Sequence, residues 1–127
     1  MKTLVIFFWI ARIVAAIIMI QTLYFKFTAS TESVYIFTTV GMEPWGRLGI
    51  GVSELIASIL LFVPGLAWLG ALIGIGVMGG AIFFHLTTLG IPIMGDGGYL
   101  FALAIAVMIC CLMVLFIDRK NAVAFLV

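Results

Sequence analysis

Three ionisable residues, Arg12, Glu54 and His85, lie in stretches of the sequence that are otherwise apolar. A charged side chain inside a bilayer costs roughly 2.5–3.5 kcal/mol on insertion scales, so a membrane chain rarely carries one without a use. Each of the three residues falls in a different apolar stretch, and therefore on a different helix if these stretches are helical. We expect the three side chains to meet inside a helical bundle.

Arg12 and Glu54 are the most suitable ionic partners among these residues. Arginine keeps its proton at every accessible pH, so a buried guanidinium needs a partner. Counted at about 1.5 Å per residue from the ends of their stretches, the two residues approach the same depth in the membrane. We predict a bidentate, buried ion pair between Arg12 and Glu54. The pair could fix the helix register, or it could act on a ligand or a proton, and the sequence leaves both roles open.

His85 lies closer to the external end of its stretch, at a predicted depth near that of Lys26 and Asp96. A neutral imidazole can pass protons near physiological pH, which a quinol-handling or proton-coupled site would use. A lone histidine on a helix can also be a hydrogen-bonded core residue. One histidine without a nearby thiol makes no set of metal ligands, and no catalytic residue can be named. The candidate ligand or proton site comprises Glu54, His85, Lys26 and Asp96.

The composition defines the class of protein. Of the 127 residues, 66% are hydrophobic and only 9% are charged, and the mean hydropathy is +1.43. A soluble domain has about a quarter of its residues charged, so this chain is predicted to be an integral membrane protein whose first partner is the lipid bilayer. The net charge of +1 offers no electrostatic footprint for nucleic acid.

Four apolar stretches are each close to the roughly 20 residues that cross a bilayer as a helix. Helices are favoured because backbone groups in lipid need internal hydrogen-bond partners, and the alternation typical of barrel strands is absent. We predict an all-α fold, an integral membrane four-helix bundle forming a single domain over residues 1–127. The predicted spans are 3–24, 44–63, 66–89 and 98–117.

The segment between the first two spans, residues 28–42, is different in character. It carries serine, threonine and Glu32, but also several apolar residues that would be unfavourable in water. It is too short to span the membrane. Two alternatives remain open: a short helix lying in the membrane interface or over the mouth of the bundle, and an ordered loop.

Basic residues near the span ends predict the orientation. Lys2, Arg119 and Lys120 fall on the side of both termini, whereas Lys26 and Arg47 fall on the other side. Because lysine and arginine are enriched in cytoplasmic segments, we expect a multi-pass topology with both termini in the cytoplasm. The first apolar stretch is too long for a secretory signal and is expected to be a retained helix.

Motifs in all four spans occur in an order that is typical of a known family. They are Arg12, Lys26 fourteen residues later, the G-x-x-E-L of Gly51–Leu55, the A-x-x-x-H-L of Ala81–Leu86, and Gly97-Gly98-Tyr99. This ordered set resembles the DoxX-like family of small four-helix membrane proteins. Residues 21–27 and 41–46 resemble a bacterial, Bacteroidetes-type branch of it.

The resemblance implies a four-helix bundle with cytoplasmic termini in a bacterial inner membrane. Some members of the family resemble subunits of thiosulfate:quinone oxidoreductase or of membrane-associated redox complexes, and a distant eukaryotic branch assists the assembly of nicotinic receptors. Many relatives carry an acid shortly after the Gly-Gly-Tyr motif, where this chain has Leu100-Phe101. Asp96 is the nearest acid to that position.

Two functions remain open at this point. The chain could be a binding protein for a small apolar ligand, with quinone as the candidate cofactor, or an accessory subunit of a membrane redox complex. It could instead be a non-enzymatic scaffold or an assembly and chaperone factor for another membrane protein. The sequence has no nucleophile–base set and no cofactor fingerprint, so it does not predict an enzyme acting alone. A partner membrane protein and a homodimer through the glycine-rich third span are both candidate assemblies.

Overall fold

Helices account for about four fifths of the described residues in the computed structural model, which describes residues 2–126. No strand occurs in that range, so the predicted all-α fold is confirmed. The helix that starts at Ala67 ends in a π-helical segment, here called the π turn. The elements are α1 (Lys2–Phe27), α2 (Thr31–Thr39), α3 (Trp45–Leu60), α4 (Ala67–Phe84), the π turn (His85–Leu89), α5 (Tyr99–Ile117) and α6 (Arg119–Leu126).

Three helical segments within the described residues are long and apolar enough to cross a membrane: α1, α4 together with the π turn, and α5. The predicted span over residues 44–63 corresponds to α3, which has 16 residues and is therefore about 24 Å long. It is shorter than expected because the turn into α4 already begins at Leu61. The chain is an all-α membrane protein.

Four helices form the body of the molecule. Helix α1 contacts α3 and α5, and α4 also contacts α3 and α5, so the four close into a ring. The core between them is rich in small residues, which allow membrane helices to approach closely. The backbones of α3 and α4 approach each other at Gly70, where a Cβ atom would stand 2.7 Å from the carbonyl oxygen of Ala57 and 2.8 Å from the backbone nitrogen of Leu61.

The segment between α1 and α3 contains a helix, α2, rather than an ordered loop. Ser30 caps its first turn, because the Ser30 hydroxyl accepts a hydrogen bond from the backbone N–H of Ser33 at 3.2 Å. Helix α2 contacts α1, α3 and the π turn. It therefore covers one end of the ring, which is the end where the candidate site residues lie.

At the opposite end of the ring, Asp118, the residue that follows α5, connects α5 to α4. Its carboxylate accepts the backbone N–H of Trp68 at 3.0 Å, so the end of α5 is tied to the first turn of α4. This first turn has free N–H groups and a positive dipole end, both of which favour a carboxylate. The ring of Phe125 in α6 lies against the Trp68 ring, with their centroids 5.4 Å apart.

Candidate functional site

A cavity of about 830 Å³ lies at the end of the ring that α2 covers. Its wall is drawn from every helix except α6, and from the segment that connects the π turn to α5. Gly76 and Gly80 contribute to the wall, and a Cβ atom added at either position would meet no atom within 4 Å. The structure brings all four residues of the candidate site to this cavity: Glu54, His85, Lys26 and Asp96.

Glu54 is the most deeply buried ionisable residue of the cavity, with an exposed fraction of 0%. Its Oε1 atom lies 2.8 Å from Nζ of Lys26. Its Oε2 atom accepts a hydrogen bond from the hydroxyl of Thr22 at 2.8 Å. The Lys26 ammonium is at ion-pair distance but not in hydrogen-bond alignment, so Oε1 has no hydrogen-bond donor among the described residues. A buried carboxylate oxygen with unused acceptor capacity therefore lies at the cavity wall.

The predicted ion pair between Arg12 and Glu54 is wrong. Arg12 is buried, and its Nε atom donates a hydrogen bond to the carbonyl oxygen of Leu61. The guanidinium carbon lies 4.1 Å from the ring centroid of Trp9 and 4.6 Å from that of Phe8. Leu61 is the C-cap residue of α3, and at this helix end free carbonyl groups and the negative end of the helix dipole favour a cation. Arg12 thus forms no direct salt bridge among the described residues and is compensated by a helix end and by aromatic faces, with the Asp118 carboxylate near enough to interact with its charge.

The register between α1 and α3 explains this error. Arg47, at the start of α3, donates a hydrogen bond to the carbonyl oxygen of Lys26, near the end of α1. A Cβ atom on Gly51 would stand 2.7 Å from the ring of Phe27, so α3 is close to α1 there. The start of α3 therefore lies level with the end of α1. Arg12 lies fourteen residues before Lys26, or about 21 Å away along the helix axis, and is out of reach of Glu54.

His85 begins the π turn and is 4% exposed. Its Nδ1 atom lies 3.0 Å from the carbonyl oxygen of Gly90, the residue that follows the turn. Its ring lies edge-on to that of Phe101, with the centroids 5.5 Å apart. These two contacts fix the position of the imidazole at the cavity wall. Single π-helical turns occur frequently at functional sites, and here the turn ends the helix that carries His85.

Asp96 shapes the segment that leads into α5. One carboxylate oxygen accepts the N–H groups of Ile93 at 2.9 Å and Gly98 at 2.7 Å, and the other accepts the N–H of Leu100 at 3.2 Å. Burial acts to raise the pKa of the Asp96 carboxyl, but these backbone hydrogen bonds outweigh it, and the pKa lies below its usual value. Asp96 therefore contributes to the cavity wall with most of its acceptor capacity already used by the backbone.

A sequence model of the DoxX family matches residues 7–87, which is more than half of the chain. The chain belongs to the DoxX family. The matched range contains Arg12, Lys26, Glu54 and His85, whereas Asp96 follows it. Comparisons with curated proteins and with solved structures found no match.

Two polar residues of this DoxX family member were not predicted as part of the site. Thr22 lines the cavity and donates to Glu54, and Arg47 orients the end of α1 that carries Lys26. Thr22 precedes Lys26 by four residues, so the two share one face of α1, and this spacing could have indicated it. Arg47 had no such signal, because its contact depends on the register of α3 against α1.

Proposed function

We propose that this DoxX family member binds a small apolar ligand of the quinone class in the cavity, as a ligand-binding or accessory subunit of a membrane redox complex. The observation that carries the proposal is the presence of Lys26, Glu54 and His85 on the wall of one cavity of about 830 Å³. Ligand sites are concave, mostly apolar, and supplied with a few polar groups that orient the ligand, and their volume is commonly about 300–1,000 Å³.

The polar groups of the wall suit a flat apolar ring that carries oxygen atoms. The ammonium of Lys26 has three N–H donors and faces Glu54 Oε1 on one side at 2.8 Å, so that donors remain for an oxygen atom of the ligand. Glu54 Oε1 and the imidazole of His85 can accept or relay a proton. The rest of the wall is largely apolar, with Phe84 and Leu103 among its members. A ligand with one polar end and a hydrocarbon tail would match this distribution.

The orientation in the membrane is part of the same proposal. Lys2, Arg119 and Lys120 all belong to the end of the ring opposite the cavity, which supports cytoplasmic termini under the positive-inside rule. In that topology α3 completes a fourth crossing, and the cavity faces the outer leaflet of a bacterial inner membrane. A membrane-dissolved ligand would then enter from the lipid.

The first experiment asks whether the purified protein carries or binds a quinone. The full chain is purified in mild detergent and extracted with organic solvent, and quinones are identified by mass spectrometry. The dissociation constant for decylubiquinone is then measured by equilibrium dialysis. We expect a stoichiometric quinone in the extract, or saturable binding of the added probe.

A pair of substitutions on α4 tests the location of binding. Gly80→Phe adds a ring at the cavity wall, where no atom lies within 4 Å of the added Cβ, and should weaken binding at least about tenfold. Leu72→Phe alters an exposed position of α4 away from the cavity and should leave the dissociation constant unchanged. Absence of quinone binding, together with a stable membrane protein that co-purifies, would instead support the scaffold or assembly-factor alternative.

A further inference from the structure

The hydrogen bond at the end of the π turn determines which nitrogen of His85 carries a proton. Nδ1 lies 3.0 Å from the carbonyl oxygen of Gly90. A carbonyl oxygen only accepts hydrogen bonds, so Nδ1 must be the donor. In the neutral imidazole, the other nitrogen, Nε2, then carries a lone pair and can only accept.

Nothing in the described part of the chain uses this acceptor. Nε2 makes no hydrogen bond there, although the ring is 4% exposed and lines the cavity. Rotation of the ring by half a turn would break the contact with Gly90, because a ring carbon would then face the carbonyl oxygen in place of Nδ1. The cavity therefore has a fixed acceptor at His85. A second acceptor without an aligned donor stands at Glu54 Oε1.

We infer that the cavity binds the hydroxyl-bearing, reduced form of its ligand, a hydroquinone, more tightly than the oxidised quinone. This inference rests on the proposed function and specifies the redox form that the site selects. A hydroquinone O–H donates to His85 Nε2, whereas a quinone offers that nitrogen only a carbonyl oxygen. If the quinone carbonyl oxygen faces His85 Nε2 in a buried site, both atoms are acceptors and neither has a hydrogen-bond donor. The free energy of leaving them unsatisfied reduces the affinity about tenfold or more.

Lys26 modifies this selectivity without reversing it. Its ammonium can donate to an oxygen of either redox form, since both a carbonyl and a hydroxyl oxygen accept hydrogen bonds. The difference between the two forms therefore depends on the acceptors, His85 Nε2 and Glu54 Oε1. A tenfold preference for the reduced form corresponds to a rise of about 30 mV in the two-electron potential of the bound ligand.

The test compares decylubiquinol, decylubiquinone and the dimethyl ether of decylubiquinol as ligands of the purified full chain, under anaerobic conditions. The dimethyl ether has nearly the shape of the reduced form but no O–H group. We expect the hydroquinone to bind about tenfold more tightly than the other two probes. His85→Gln supplies both an amide donor and a carbonyl acceptor. It should move the ratio of the dissociation constants of quinone and hydroquinone towards one, with Glu54 Oε1 retaining its part of the preference.

Thr88→Val is the matched control, because Thr88 lies in the same π turn but outside the cavity wall. It should retain the wild-type ratio. Equal affinity for the two redox forms, or tighter binding of the quinone, overturns the inference and leaves the proposed function standing. Absence of binding by all three probes would contradict both this inference and the proposed function. If His85→Gln does not fold, the dissociation constants of the hydroquinone and its dimethyl ether for the wild-type chain still test whether the O–H groups of the ligand are needed.

Discussion

The ion pair between Lys26 and Glu54 is the strongest electrostatic constraint at the cavity. Glu54 is fully buried, so its carboxylate has lost its hydration and depends on the Lys26 ammonium and the Thr22 hydroxyl. Removing one member of a buried pair leaves an uncompensated charge, which is more costly than removing both members. The pair therefore links the stability of the protein to the chemistry of its cavity.

We predict that Lys26→Met lowers the free energy of unfolding by about 3 kcal/mol, and that adding Glu54→Gln to this variant restores most of the loss. The double variant no longer has a buried charge at this position. The measurement is a double-mutant cycle from denaturant titrations of the purified protein at pH 7. Lys120→Met, at an exposed position, is the control and should change stability by less than about 0.5 kcal/mol. Equal stability of the single and double variants would contradict the prediction.

Helix α4 has two kinds of glycine, and their surroundings give them different roles. Gly70 allows the backbones of α3 and α4 to touch, since an added Cβ would stand 2.7 Å from the Ala57 carbonyl oxygen. At Gly79 the nearest atom to an added Cβ is Met108 Cε, at an ordinary 3.7 Å. The contact at Gly70 also holds the end of α3 where Arg12 can reach the Leu61 carbonyl.

Gly70→Ala is expected to destabilise the protein by about 1–3 kcal/mol, because a backbone cannot move aside as a flexible side chain can. Gly79→Ala, on the same helix, should be neutral or slightly stabilising, since alanine has the higher helix propensity. Thermal and denaturant unfolding of the two variants would check this. Two alanine variants of equal stability would show that α3 and α4 are not in backbone contact at Gly70.

The helices were predictable from the sequence, whereas their relative register was not. Hydropathy placed the apolar helices within about three residues of their observed bounds. The largest differences are at the C-terminal ends of α1, which ends at Phe27 instead of Tyr24, and of α3, which ends at Leu60 instead of Val63. The cost of an ionisable side chain in lipid also predicted that Glu54 and His85 face inward. The pairing of Glu54 with Lys26 depends on how far α3 is displaced along α1. That displacement arises from contacts such as Arg47 to Lys26, which have no periodic signature.

The whole molecule is asymmetric along the ring axis. One end holds the cavity, covered by α2, and the other holds Asp118, Trp68 and α6, where helices are tied closely together. The exposed residues between the two ends are largely apolar, as expected of a surface in contact with lipid. The cavity and the basic residues near the termini therefore lie at opposite ends of the molecule.

We predict that residues 90–98 and the C-terminal helix are on opposite sides of the membrane. Met94→Cys, at a position 57% exposed in that segment, should react with a membrane-impermeant maleimide in intact spheroplasts. Lys120→Cys should react only after the membrane is opened. The unmodified chain gives the background, because Cys110 and Cys111 lie within α5. Labelling of Lys120→Cys in intact spheroplasts would contradict cytoplasmic termini.

The π turn has a consequence for comparing this chain with other family members. A π turn holds one residue more than the α-helical turn it replaces, and each residue of an α-helix rotates by about 100°. In a homologue that lacks this additional residue, the carbonyl group after the turn would be displaced relative to the histidine, and the Gly90 contact that fixes the imidazole here would not form. An alignment that forbids a gap in residues 85–89 would therefore equate side chains that face different directions.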